Sequence, residues 1–172
     1  MPANIDSMMY VNETPWHREG VALDKPPSVE DALDYAGLNW TVEKRDTFYS
    51  LSNNYNAQAP LSQVPNSYVT IRTDNGKALG VVGKRYEILQ NVEAFKPFNV
   101  LLDYGYELET AGAIQDGKKV WILAKAPKSY MVGDDKLLKY VFLYSSHDGS
   151  SGSTIRDTMV RVVCQNTIDL AL

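Results

Sequence analysis

The sequence predicts an α+β fold, with an antiparallel sheet built from three hairpins and two or three helices packed on one face. Three clusters of turn residues, at 74–76, 116–117 and 147–153, are the basis of this prediction. Each cluster separates two runs of strand-forming residues, which is the pattern of a hairpin. The length of 172 residues and the hydrophobic share of 44% are those of one globular domain, so we expect a single domain over residues 1–172.

The hairpin around Asn75-Gly76 has the clearest signal of the three. Residues 68–73 form its first strand and residues 78–82 its second. Asn-Gly tolerates the positive φ angles that a type I′ turn needs, and we therefore predict a hairpin here. The second hairpin pairs 107–114 with 118–125, and the third pairs 137–145 with 154–164.

Helices and irregular segments make up the rest of the chain. Residues 1–27 show little periodicity, and we expect them to form an ordered N-terminal arm. Ser28 is a good N-cap for a first helix, which Gly37 can end. The remaining expectations are a strand at 40–51, a loop at 52–66, a helix capped by Asn91 and a last helix beginning at Asn166. A helix of about one turn is unstable alone, so this last helix either docks on the sheet or belongs to a longer protein. Of the two, we favour the interpretation that the chain is a short version of a longer protein.

Charge is unevenly distributed along the chain. The formal net charge is −4, and residues 1–60 hold nine acidic and four basic side chains. A strongly basic composition, the usual sign of a nucleic-acid-binding domain, is absent. Nucleic-acid binding by such a chain would need a local basic patch, or a groove between the copies of a homo-oligomer.

The sequence favours a cytoplasmic protein without a membrane partner. Cys164 is the single cysteine, so no disulfide can form within the chain. The first ten residues include Asn4, Asp6 and Ser7 and lack the apolar core of a signal peptide. The apolar runs are also too short to span a bilayer.

No catalytic or cofactor-binding motif occurs in the sequence. The phosphate loop, the dinucleotide fingerprint, H-E-x-x-H and paired C-x-x-C are all missing. His147-Asp148 lies beside serines, but neighbouring strand residues point to opposite faces, so we interpret this segment as a polar loop rather than a hydrolase triad. A metal-dependent nuclease would need two acids and a lysine in an arrangement that 107–109 and 116–118 do not supply cleanly. We therefore predict no enzyme activity, no cofactor and no metal.

Cationic, aromatic and hydroxyl side chains nevertheless cluster in a few places. Lys84-Arg85-Tyr86 ends a hairpin strand, Lys118-Lys119 follows a turn, and the loop 147–153 offers hydroxyl and backbone donors for phosphates. Single-strand-binding proteins combine such charges with aromatic stacking. The stacking candidates are Trp16, Tyr68, Tyr86 and Tyr144. The predicted nucleic-acid-binding residues are Lys84, Arg85, Tyr86, Lys118, Lys119, His147, Ser150, Ser151, Arg156 and Arg161, the last two placed on opposite faces of the final strand.

Six stretches of the sequence, in order along the chain, match the pattern of a known family. They are residues 13–17, 28–33, 79–86, 109–112, 146–151 and 160–167. In these stretches the chain resembles the phage/plasmid-like proteins catalogued as domain of unknown function 932. The resemblance implies an origin in a bacteriophage, plasmid or integrated element, with the host cytoplasm as the compartment. It also implies that other members continue into a helical C-terminal half.

Two hypotheses for the function follow from this context. The first is a phage- or plasmid-encoded accessory protein that binds single-stranded DNA in recombination or replication. Its basis is the hairpin-rich sheet followed by helices, a layout loosely similar to that of single-strand annealing proteins. The alternative is a protein-binding module that inhibits a host defence factor, which the acidic first third of the chain favours.

Overall fold

The computed structural model of the chain describes residues 4–51, 59–133 and 135–172. It confirms the α+β class, with strands predominating over short helices. In chain order the elements are β1 (Ile5–Val11), β2 (Val21–Leu23), α1 (Val29–Tyr35), β3 (Val42–Ser50), β4 (Leu61–Arg72), β5 (Ala78–Gly83), α2 (Asn91–Phe95), α3 (Phe98–Asp103), β6 (Glu107–Ile114), β7 (Lys119–Lys125), β8 (Tyr130–Val132), β9 (Asp135–Leu137), β10 (Tyr140–Ser146), β11 (Thr154–Thr158) and α4 (Gln165–Ala171).

The strands form two main sheets, so the prediction of one sheet was wrong. The larger sheet has the order β11-β10-β7-β6-β1-β2, and the smaller has the order β3-β4-β5. A separate ribbon pairs β8 with β9. Neighbouring strands run antiparallel, except for the parallel pair β1–β2. The pairing of strands from distant segments depends on tertiary packing. The local sequence pattern of each hairpin therefore does not show which hairpins share a sheet.

The central strands β6, β7 and β10 of the six-stranded sheet are buried on both faces. On β7, Val120 and Ile122 belong to one core cluster, and Trp121 and Leu123 belong to the other. The helices α1, α2 and α3 contribute to the first cluster, and α4 contributes to the second. Helices therefore cover opposite faces, which corrects the expectation that all of them pack on one face. Burial on both faces also explains why these strands are almost uniformly apolar.

The N-terminal segment lies inside the sheet rather than beside it as an arm. β1 pairs with β6 on one side and with β2 on the other. Its residues Met8 and Met9 are fully buried, one against each face. The prediction of an arm over 1–27 was wrong because a strand buried on both faces lacks polar alternation, the signal by which half-buried strands are recognised.

The turns of the first two hairpins differ in type. At 115–118, Asp116 and Gly117 both have positive φ, and the backbone N–H of Lys118 donates to the carbonyl of Gln115 at 3.2 Å. This turn joins β6 and β7 where the sequence predicted it. In the turn between β4 and β5, of residues 73–77, only Gly76 has positive φ, and its N–H donates to the carbonyl of Arg72 at 2.9 Å. The predicted hairpin is confirmed by the antiparallel pairing of β4 with β5. Its turn is not of type I′, since that type needs positive φ at two residues.

The first helix is confirmed and the second begins differently from its prediction. Ser28 caps α1 by accepting a hydrogen bond from the N–H of Asp31 at 3.1 Å. The N-cap of α2 is Gln90, whose side-chain amide makes two hydrogen bonds to the backbone of Val42 at the edge of β3. Asn91 does not cap the helix, because it lies inside α2 with its amide donating to the carbonyl of Leu38 at 2.9 Å.

Two other predicted boundaries shift in the structure. β4 starts at Leu61, so the strand takes up the second half of the expected loop 52–66, and residues 52–58 of that loop lie outside the described residues. β11 ends at Thr158, which leaves residues 159–164 outside any strand. The last helix, α4, docks on the sheet through the buried side chains of Ile168 and Ala171. Within the described residues, no helix has the length and apolar character needed to cross a membrane.

Candidate functional site

Tyr86 connects the two sheets at the predicted site. A tight turn after β5 places it, with the N–H of Tyr86 donating to the carbonyl of Gly83 at 3.1 Å. The Tyr86 hydroxyl then donates to the carbonyl of Ser146, at the end of β10, at 2.9 Å. This contact brings residues 84–86 beside the loop 147–153, two of the segments that the sequence singled out.

Lys44 and Tyr68 complete this surface, although Lys44 was not among the predicted residues. The Lys44 ammonium lies 5.6 Å from the centroid of the Tyr68 ring and 5.9 Å from that of Tyr86. It also approaches the carbonyl of Lys84 at 3.5 Å. Both tyrosine rings are half-buried. Sequence reasoning missed Lys44 because the register of β3 against β4 is set across a long loop and cannot be read from local pattern.

The three cations of this surface have no carboxylate partner within the described part of the chain. Lys84 and Arg85 are exposed, and neither they nor Lys44 form an ion pair with any carboxylate of the described residues. Other cations are neutralised, such as Arg72 by Asp74 at 2.7 Å. The chain is acidic overall, yet three of its unpaired cations lie near two aromatic rings. We name Lys44, Tyr68, Lys84, Arg85 and Tyr86 the tyrosine–lysine surface.

The serine-rich loop uses its donors internally. The Asp148 Oδ1 atom accepts hydrogen bonds from the Ser146 hydroxyl and from the N–H of Ser150, the latter at 2.8 Å. Burial raises the pKa of Asp148, but the hydrogen bonds from Ser146 and Ser150, with the nearby charge of Lys119, outweigh it and hold the pKa below its usual value. The loop therefore presents a carboxylate, and Ser150 does not offer its N–H to a phosphate. Ser151 is exposed on the same loop.

His147 lies in the core, away from the exposed surface. It is 1% exposed, and its Nε2 contacts the Asn91 Oδ1 at 2.8 Å. Its backbone joins both sheets, because its N–H donates to the carbonyl of Lys118 at 2.7 Å and its carbonyl accepts from the Thr70 hydroxyl at 2.8 Å. Burial lowers the His147 pKa to about 4. A neutral, enclosed imidazole cannot contact a nucleic acid, and we assign it a structural role.

The other predicted basic residues fall into three settings. Lys119 lies opposite Ser146 in the β7–β10 register, next to the tyrosine–lysine surface, and Lys118 precedes it with a half-buried side chain. Arg156 is exposed on the edge strand β11. Arg161 lies outside β11, so the prediction that it shares a strand with Arg156 was wrong.

Arg161 is a structural anchor. Its Nε donates to the buried Glu109 Oε1 at 2.8 Å. Its terminal nitrogen donates to the carbonyls of Val11 and Glu13, at 3.1 and 2.8 Å. These contacts tie the segment 159–164 to the N-terminal part of the chain, so its charge is already used within the fold.

Of the aromatic residues predicted to stack on bases, some lie on the tyrosine–lysine surface and others do not. Tyr144 is buried in the core, which removes it from any stacking surface. Trp16 is exposed but lies next to His17, whose Nε2 contacts the carbonyl of Val163 at 2.8 Å, beside the segment 159–164. Of the four stacking candidates, Tyr68 and Tyr86 are the pair that the structure brings together with free cations.

The residues considered for catalysis do not assemble. His147 bonds Asn91, whereas Asp148 bonds Ser146 and Ser150, so these side chains form no relay. Cys164 is buried. Asp116 pairs with Lys77 at a turn, far along the strand from Glu109. The described ranges contain no group of three or more His, Cys, Asp or Glu side chains placed to hold a metal ion.

A family model described as a domain of unknown function (DUF932) matches residues 78–172, more than half of the chain. The chain belongs to the DUF932 family. The matched range contains β5, the Tyr86 turn and the loop after β10, so most of the tyrosine–lysine surface lies within the DUF932 region. No curated protein and no solved structure matches the chain. The stretches 13–17 and 28–33 precede the matched range, and the phage or plasmid origin remains a prediction.

Proposed function

We propose that this DUF932 protein binds single-stranded DNA on the tyrosine–lysine surface, as an accessory protein of phage or plasmid recombination or replication. One observation supports this most directly: the unpaired Lys44 ammonium lies within 6 Å of two half-buried tyrosine rings. Proteins that bind single strands pair cationic grooves with aromatic rings on which bases stack. Lys84 and Arg85 extend the positive charge on the side of Tyr86 and can contact the phosphates on either side of a stacked base.

The proposal is tested by fluorescence anisotropy with a labelled single-stranded 15-mer at low salt. Lys84→Ala/Arg85→Ala should weaken binding by about tenfold or more, because two phosphate contacts are lost. The matched control is Lys25→Ala/Lys96→Ala, which also removes two exposed positive charges but alters the region of α1 and α2. The control variant should bind like the wild type. Equal weakening of the two variants would show that only the net charge matters and would contradict the proposal.

A second function, contact with a host protein, is supported by a different part of the smaller sheet. Large apolar side chains are exposed at the end of the hairpin of β3 and β4, among them Phe48 at 53% and Leu61 at 66%. Grouped exposed apolar residues favour a protein interface. If this function is correct, Phe48→Ser/Leu61→Ser should abolish recovery of a stoichiometric partner while DNA binding stays unchanged. A partner retained by that variant would count against this interface.

A further inference from the structure

Asp148 places a carboxylate at the edge of the tyrosine–lysine surface. The Tyr86 hydroxyl donates to the carbonyl of Ser146, two residues before Asp148. Burial raises the pKa of the Tyr86 hydroxyl, and the negative charge of Asp148 raises it further, as expected of neighbouring groups. A carboxylate in this position repels the phosphates of a bound strand. If Asp148 contacts the strand, it therefore contacts a base and not the backbone.

The Asp148 carboxylate is held in a fixed position. Its Oδ1 accepts hydrogen bonds from the Ser146 hydroxyl at the end of β10 and from the Ser150 N–H in the loop. The backbone of Asp148 packs directly on Gly80 of β5, where an added Cβ would lie 2.4 Å from the Asp148 carbonyl oxygen. The hydrogen bonds found among the described residues reach Oδ1, so Oδ2 can accept a donor from a ligand.

We propose that Asp148 determines base specificity, by accepting a hydrogen bond from the exocyclic amino group of a base stacked on Tyr86. This inference rests on the proposed function. An ionised carboxylate only accepts hydrogen bonds, so it attracts the N4 amino group of cytosine and repels the O4 carbonyl of uracil or thymine. The ligand is thus a single strand carrying an amino-bearing base, held by Lys44, Lys84 and Arg85 through its phosphates.

The test compares the oligonucleotides dC15 and dU15, which differ at the base edge and in nothing else. Both are measured by anisotropy at pH 7.5 with the wild-type protein and with Asp148→Asn. The wild type should prefer dC15 by about fivefold or more, because a hydrogen bond to a charged group forms with cytosine and is replaced by repulsion from the O4 carbonyl of uracil. Asp148→Asn should remove the preference, because an amide can both donate and accept. Asn also retains an oxygen for the loop hydrogen bonds, so the fold is kept.

Each outcome separates this inference from the proposed function. A preference for dC15 that disappears in Asp148→Asn supports the role of Asp148. Equal wild-type affinity for dC15 and dU15 overturns the inference and leaves the single-strand function standing. A preference that persists in Asp148→Asn overturns the role of this residue. Failure of both oligonucleotides to bind overturns the inference and the proposed function together.

Discussion

At the scale of the residue, His147 shows how a polar side chain can be a core element. Its imidazole contacts the amide of Asn91 and meets the Trp40 ring edge-on, with centroids 5.3 Å apart. The guanidinium of Arg72 stacks on the Trp40 ring, with its Cζ atom 4.2 Å from the ring centroid. Burial lowers the His147 pKa to about 4, the Asp148 charge opposes this and the Arg72 charge reinforces it. The histidine is therefore neutral at pH 7 and costly to protonate in the folded state.

This residue predicts a loss of stability in acid. The pKa of His147 is about 4 in the folded chain against 6.5 for an ordinary histidine, so below pH 6.5 protons bind preferentially to the unfolded state. The neutral His147 side chain contributes its full stabilisation above pH 6.5, and this contribution is lost as the pH falls towards 4. At 1.36 kcal/mol per pKa unit, the free energy of unfolding decreases by about 3 kcal/mol over this range. Urea unfolding of wild type and His147→Gln at pH 7 and pH 4 measures this. The free energy of unfolding of His147→Gln should fall by about 3 kcal/mol less than that of the wild type between pH 7 and pH 4. Parallel pH profiles for His147→Gln and wild type would contradict the assignment.

At the scale of the element, the contact between β5 and the loop after β10 joins the two sheets. Gly80 lies against the backbone of Asp148, and Gly149 lies against the side chain of Val82. The Thr70 hydroxyl on β4 donates to the carbonyl of His147 at 2.8 Å. Such close backbone approach requires a glycine at position 80, because any side chain there would displace the loop.

We expect Gly80→Ala to destabilise the protein by about 1–3 kcal/mol, the usual cost of inserting a methyl group into packed structure. The new Cβ would meet the carbonyl oxygen, Cα and carbonyl carbon of Asp148 at 2.4, 2.7 and 2.9 Å, and these backbone atoms cannot rotate away. Gly83→Ala is the matched control, since it lies in the same strand with no atom within 4 Å of an added Cβ. Thermal and urea unfolding of both variants checks this. An equal loss of stability in both variants would show that replacing any glycine of β5 destabilises the protein, and that the contact of residue 80 with Asp148 is not the cause.

At the scale of the whole molecule, charge pairing decides where positive charge is available. The chain carries a net charge of −4, and Arg45, Arg72, Lys77, Lys125, Lys139 and Arg161 all pair with carboxylates. Among the cations that have no carboxylate partner in the described residues, Lys44, Lys84 and Arg85 lie on one surface. An acidic protein can therefore offer a local cationic site, but one limited to a few phosphate contacts.

The salt dependence of DNA binding should reflect this small number. Three phosphate contacts on a single strand predict that log K falls against log salt with a slope of about −2, at about −0.7 per contact. Anisotropy titrations across a salt series measure the slope. In Lys84→Ala/Arg85→Ala the slope should become shallower than about −1, because one phosphate contact remains. In Lys25→Ala/Lys96→Ala the slope should stay at the wild-type value. An affinity independent of salt would exclude phosphate contacts by these side chains.

The sequence alone determined those features that depend on neighbours along the chain. Ser28 capping α1, the turn at Asp116-Gly117 and the strands that flank it follow from local conformational preference, and the structure confirms them. It also placed Lys84, Arg85 and Tyr86 at the end of a hairpin strand. The DUF932 family was recognisable from short motifs, and the family match bears it out.

Tertiary structure decided what depends on contacts between distant segments. The insertion of β1 between β6 and β2, the approach of Lys44 to Tyr86 and the burial of His147 each join residues separated by long stretches of chain. The same applies to Arg161, whose charge is used by Glu109 and by two N-terminal carbonyls. Local sequence shows that such a side chain is charged or polar, but its partner and its burial are fixed by the free energy of packing the whole chain.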